Sequence, residues 1–228
     1  MIESYENEGP IKNLKNVYAK TFLWMFLGLL ATGIISVFTY TQILSKPEVL
    51  FSVAKILPVV LIVEVVVVIV FSLLFRKLPP TVVAILYFIY AVVNGVTLST
   101  VFVIYDLNSI ISIFFVSAAL YGIFALIGMY TKVDLSKLGT ICFIALIACV
   151  VVSIVNIFLG VPMIDYIIDW IVLLVFFGIT AYDIQKIRAY SEQGIMPDEK
   201  LHIYGAMELY LDFINIFLRL LRIFGKRK

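Results

Sequence analysis

The chain has 228 residues, of which 63% are hydrophobic and only 14% charged, with a mean hydropathy of +1.12. Such a composition has too little polar surface to cover a soluble globule. The net charge of +2, with no basic patch interleaved with aromatic residues, argues against nucleic acid as a partner. The lone His202 excludes a multi-histidine metal site within one chain.

Residues 1–18 carry Glu3, Glu6, Glu8, Lys12 and Lys15 and have neither a short apolar core nor a small-residue cleavage site, unlike a cleavable signal. They are expected to form an N-terminal segment, ahead of a transmembrane domain over 19–225 and a basic tail at 226–228. A span needs about 20 mostly apolar residues to cross a ~30 Å hydrocarbon core. Stretches of that kind fall at 19–41, 49–75, 80–104, 109–131, 138–160, 164–187 and 202–224, predicting an all-α polytopic membrane protein of seven helices. Turn chemistry separates them at Ser45-Lys46-Pro47, Arg76-Lys77-Leu78-Pro79-Pro80, Asp106-Leu107-Asn108, Thr131 to Lys137 and Gly160-Val161-Pro162. The one long connection, Ala189 to Leu201, contains Gly194 and Pro197 and reads as a solvated loop.

Orientation follows the basic residues. With the N-terminus on the cytoplasmic side, that side holds Lys12, Lys15, Lys20, Arg76, Lys77, Lys132, Lys137, Lys186, Arg188 and Lys200, against Lys46 and Lys55 in the outer loops. Seven crossings then send Arg222, Lys226, Arg227 and Lys228 to the outer face, against the trend of the other loops; the alternative is a last segment that dips in and returns to the inner face. Gly28, Gly33, Gly95, Ser99, Gly122, Gly128, Ala145 and Ala148 are expected to let helices approach closely. Tyr40, Tyr105, Tyr130 and Tyr166 fall near the interfaces, and Cys142 and Cys149 read as buried small hydrophobes.

Acidic residues inside apolar spans carry the functional signal. A charge at bilayer depth costs at least ~2.5–3.5 kcal/mol, so such residues face a bundle interior and mark pathways or relays. Asp183 lies in VLLVFFGITAYDIQKI and Asp212 in MELYLDFINIFLRLLRIFG. With the sixth and seventh spans antiparallel, both fall in the inner half of the membrane, where a carboxyl–carboxyl contact is geometrically feasible. Two carboxylates held together cannot both ionise cheaply, so near neutral pH such a pair can share a proton and latch two helices. Full deprotonation would part them or admit a cation, and hard Ca2+ suits carboxylate, carbonyl and water oxygens. The bland reading of Asp183 is an interfacial acid paired with Lys186 or Arg188. Glu208, one turn before Asp212, shares its face. Glu64 sits in mid-span in LPVVLIVEVVVVIVFSLLF, Asp106 is a loop residue, and Asp165 and Asp169 read as a solvated start of the sixth helix, favourable to its dipole.

GITAYDIQKI at 178–187, followed by LYLDFINIFLRLLRIFG at 209–225, closely resembles the Bax inhibitor-1 family, also called the transmembrane Bax inhibitor motif family. The seven-span pattern, Glu64 before Arg76-Lys77, and the Gly95 and Asn156 contexts extend the likeness over nearly the whole chain, and its length resembles the compact prokaryotic members. The resemblance implies a fold with the C-terminal helix central and wrapped by the others. It implies a pH-sensitive calcium leak, or a slow Ca2+/H+ exchanger, with Asp183 and Asp212 as pH sensor, gate and metal ligands. Glu64 matches a second-helix acid near the ion pathway, and Glu208, sharing the face of Asp212, is expected on the same pathway. It further implies a basic residue at the inner end of the second helix; that spacing falls on Phe75, which leaves neighbouring Arg76 as the candidate latch partner. Ca2+ and H+ are then the transported partners, no cofactor is implied, and the short loops and compact length point to a prokaryotic plasma membrane.

Two other classes compete. Tyr182-Asp183 on one helix and Asp212 on the next imitate the layout of presenilin-like intramembrane aspartyl proteases, whose acids share a proton to activate water. However, LYLDF lacks the Gly-x-Gly-Asp context, and no Pro-Ala-Leu follows. A non-transporting scaffold, its acids serving only as glue between helices, is the third reading.

Overall fold

A computed structural model describes residues 10–228, so Glu3, Glu6 and Glu8 lie outside the described residues. Seven helices follow in order: α1 (Pro10–Ser45), α2 (Pro47–Leu74), α3 (Pro80–Ile104), α4 (Leu107–Tyr130), α5 (Ser136–Leu159), α6 (Pro162–Glu192) and α7 (Asp198–Phe224). Each predicted span lies on its own helix, and α1 begins at Pro10, well ahead of the first span. Local chemistry sets the ends. Proline opens α3 and α6, where a missing N–H costs nothing. Gly160 ends α5 in the left-handed region at φ 65°, and Asn156 closes the turn by donating to the Val161 carbonyl at 3.0 Å and accepting from its amide at 3.2 Å.

Six helices, α1 to α6, are long and apolar enough to cross a membrane. Their outward faces carry exposed Leu, Ile, Val and Phe, such as Phe115 and Phe158, as expected against lipid. The seventh helix is different. It carries too many polar residues to face hydrocarbon, and seventeen of its 27 residues are buried. Because the bilayer offers no water to satisfy those groups, α7 is driven to the centre. There it packs against α1, α3, α4 and α6. Helix α2 reaches it through a stack of Phe71 and Phe75 on Tyr204, the last pair with ring centroids 4.2 Å apart. Helix α5 packs on α6, Gly139 lying against the Tyr182 ring and Cys142 against Gly178. Both cysteines are buried and free.

The basic tail lies at the end of the bundle opposite to the start of α1. Lys226 and Lys228 pair with the backbone of Asp106 and Ile104, and the Lys228 ammonium donates to the Tyr40 hydroxyl and the Phe102 carbonyl. At the other end, Lys20, Pro80, Glu199 and His202 surround one cavity and bring the starts of α1, α3 and α7 together. The two ends of α7 therefore lie at opposite ends of the bundle.

Only some of the small residues serve close packing. Gly128 meets the backbone of Ala181, and Gly95 meets the Thr32 carbonyl and Ile35. Gly33 and Gly122 face open space instead, lining two apolar grooves of about 390 and 450 Å³ between α1 and α4, each with Phe213 of α7 in its wall. Ala148 is exposed.

Candidate functional site

The α6–α7 interface buries Asp183 and Asp212, at 7% and 3% exposure. Asp183, Lys186 and Ile187 share one face of α6; Tyr204, Glu208 and Asp212, spaced four apart, share one face of α7. Ile187 fits against Gly205, which keeps the two helices close at this level. The Lys186 ammonium lies 2.5 Å from Glu208 Oε1 and 3.7 Å from Asp183 Oδ1. The Tyr204 hydroxyl also donates to Glu208 Oε1. Asp212 has Asp183 and Glu208 as electrostatic neighbours, and Thr180 lies beside it. Its Oδ2 atom is buried without a protein partner, as is Glu208 Oε2.

Buried polar oxygens without partners are rare and call for a proton, a water or an ion. Charge balance sharpens the point. With three carboxyls ionised and Lys186 charged, the cluster would carry a net −2, which two protons or one divalent cation would cancel. Burying that charge uncompensated is costly. No three Asp, Glu, His or Cys side chains converge on a ready metal site among the described residues; the cation seated here is the ammonium of Lys186.

A polar cavity of about 600 Å³ adjoins the cluster at the end that carries the 131–135 and 193–197 connections. Its lining includes Lys132, Asp134, Tyr182, Lys186, Arg188 and Glu192. Asp183, Glu208 and Asp212 are not part of that lining, so Lys186 stands between cavity and acids. At the cavity rim, exposed Asp134 accepts hydrogen bonds from the Ser136 side chain and amide, which hold its carboxyl below the usual carboxylate range.

The other sequence candidates lie elsewhere. Arg76 is exposed and leans over Phe75, while its carbonyl accepts from buried Lys200 at 2.7 Å. The basic group at the acids thus comes from α6, and α2 contributes Phe75 stacked on Tyr204 in place of a charge. Glu64 is buried between α2 and α3, where the Thr97 hydroxyl donates to it at 2.6 Å and Asn94 lies beside it. Asn94 Oδ1 accepts from the Tyr210 hydroxyl at 3.1 Å, and that hydroxyl sits 2.7 Å from Thr32 Oγ1. Tyr210 and Asp212, two residues apart, point to opposite sides of α7. The central helix therefore separates Glu64 from the acid cluster. Tyr210→Phe should cost about 1 kcal/mol, lowering the melting temperature in detergent by roughly 2–4 °C, because it leaves the Asn94 acceptor buried and unpaired.

Asp169 corrects the expectation of a solvated helix start. It is 5% exposed, and its carboxylate pairs with Arg219 at 2.5 Å and Arg222 at 3.2 Å, both on α7. Asp165 is the exposed acid of that turn and accepts from Asn156 at 2.8 Å. Asp106 caps α4 by accepting from the Asn108 amide at 3.1 Å.

With this geometry in place, comparison with known proteins is decisive for the family. The family described as "Inhibitor of apoptosis-promoting Bax1" matches residues 14–228. The chain belongs to that Bax inhibitor family. It is 39% identical over 223 residues to the inner membrane protein YbhL of Escherichia coli K12, covering 96% of this chain and 95% of YbhL. A membrane protein of Streptococcus pyogenes serotype M3 is 41% identical over 166 residues, 72% of each chain, and a Deinococcus radiodurans protein 32% identical over 219 residues, 95% of this chain and 93% of that one. As a Bax inhibitor family member with this fold, the chain is an integral, multi-pass membrane protein.

Proposed function

We propose that the chain is a pH-sensitive Ca2+ leak channel gated by the buried Asp183 and Asp212, with Glu208 beside them on the ion path. The carrying observation is that three carboxyls, those of Asp183, Asp212 and Glu208, share one ammonium beside a polar cavity, with two of their oxygens buried and unpartnered. Protons and a divalent cation compete for the same oxygens. At lower pH, protonated carboxyls hold α6 and α7 together; as protons leave, a cation takes their place. A slow Ca2+/H+ exchanger would use the same groups and differ in moving protons in fixed ratio. An ammonium seated against Asp183 is out of keeping with aspartyl protease chemistry, in which the acids flank a water, so the chain is read as a transport protein, not an enzyme. The basic end of the bundle, which holds the cavity, is assigned to the cytoplasm of a prokaryotic plasma membrane.

The test is Ca2+ entry into dye-loaded liposomes followed across neutrality, from about pH 6 to 8. Parent protein should give an influx that rises with pH. Asp183→Asn and Asp212→Asn, checked for folding, should abolish the influx or its pH dependence. Influx no greater than that of empty liposomes, or variants indistinguishable from parent, would exclude the reading.

A further inference from the structure

Lys186 pairs with the acid cluster and borders the polar cavity at the same time. Lysine side chains near a helix end ordinarily run outward to water. Here the ammonium turns inward to lie 2.5 Å from Glu208 and 3.7 Å from Asp183. It also lies over three aromatic rings, those of Tyr204, Tyr182 and Tyr190, at 5.2, 5.8 and 6.0 Å from their centroids. Tyr182 and Tyr190 line the polar cavity as well, and Lys186 is the one charged member of the cluster to do so. The side chain thus has two sets of partners that a flexible four-carbon stem can exchange: carboxylates inward, tyrosine faces and cavity outward.

From this geometry we infer that Lys186 is a tethered cation plug, occupying the cation position of the acid cluster and withdrawn into the tyrosine-lined cavity when a divalent cation binds. The inference rests on the acid cluster being a cation site, as proposed above, and adds the residue that regulates it. Three physical facts support it. The ammonium carries the charge that Ca2+ would bring and touches two of the three acids that Ca2+ would need. It bars the route from the cavity to those acids. Asp212 Oδ2 and Glu208 Oε2, left unpaired behind it, are oxygens that a single ammonium with three donors does not satisfy but a larger coordination shell would. The groups facing the ammonium from α6 are Asp183, Tyr182 and Tyr190, and from α7 Glu208 and Tyr204. Arg188 and Lys132 share the cavity and would disfavour its outward position, while Asp134 and Glu192 there would favour it.

The experiment pairs a binding readout with a flux readout on full-length protein. Ca2+ binding is followed by the Ca2+-dependent rise in melting temperature in detergent at about pH 7.5, for parent, Lys186→Gln, Lys186→Met and Lys186→Arg. Removing one like charge from a partly exposed site should tighten Ca2+ binding on the order of tenfold in the Gln and Met variants. Lys186→Arg, which restores a cation to the cluster, should bring the affinity back toward parent. If neither neutral variant binds Ca2+ more tightly than parent, the plug is overturned. The use of both Gln and Met guards against one of them failing to fold. Flux into liposomes then judges the function separately: tighter binding without any influx keeps the plug and removes the channel, whereas influx in parent without a gain in binding keeps the channel and removes the plug.

Discussion

Gly128→Ala should be among the most damaging single-methyl additions in the bundle. A Cβ at that position would lie 2.2 Å from the Ala181 carbonyl oxygen and 2.8 Å from its Cα. Both are backbone atoms, so no side chain can rotate away, and α4 must separate from α6. Overpacking typically costs 1–3 kcal/mol, and a backbone clash belongs at the top of that range. A melting temperature lower by roughly 6–12 °C is therefore expected in detergent. Gly122→Ala on the same helix is the control, since its Cβ would meet nothing within 4 Å; it should be neutral. Equal effects at the two positions would refute the close-approach account. Ala181 lies two residues before Asp183, so the Gly128 variant should also disturb the packing of the acid cluster wherever it still folds.

Asp169→Ala should be comparably severe. The carboxylate is the shared partner of Arg219 and Arg222, and its loss strands the Arg219 guanidinium at a side-chain exposure of 24%. Breaking a buried pair by removing one member costs about 3–5 kcal/mol. The lower end applies here, because Arg222 is 45% exposed and can reach water along its stem. Unfolding of Asp169→Ala, Arg219→Ala and the double variant closes a cycle. A double variant that recovers much of the loss would establish the pair as the cause. Strictly additive losses would mean that Asp169 acts through something else.

The Asp169 cluster also shows how the basic C-terminal end of the chain is accommodated. Arg219 and Arg222 share the Asp169 carboxylate of α6, and Lys228 rests its ammonium 5.1 Å from the Tyr40 ring centroid and donates to the Phe102 carbonyl. Loop counting assigns each cation to a side of the membrane but cannot register that some are already paired. Similarly, the spacing of Asp183 to Lys186 was legible as a local ion pair, and the structure keeps that contact. What spacing does not reveal is that the same ammonium bridges to Glu208 on the next helix.

Hydrophobic run length alone determined that this chain is a helical membrane protein, since about 20 apolar residues have no other use in water and no other conformation in lipid. The expense of buried charge picked out Asp183 and Asp212, and the helical period added Glu208 to the face of Asp212. Period and cost act within one helix, and there the sequence's authority ends. Which helix lies opposite each face depends on the packing of all seven. Tertiary structure alone placed Lys186 between the acids and the cavity, paired Asp169 with arginines 50 and 53 residues away, put Phe75 instead of Arg76 against Tyr204, and set Glu64 on the other side of α7. Each is a contact between helices, fixed by shape and by the need of every buried charge to find a partner once the central helix is enclosed.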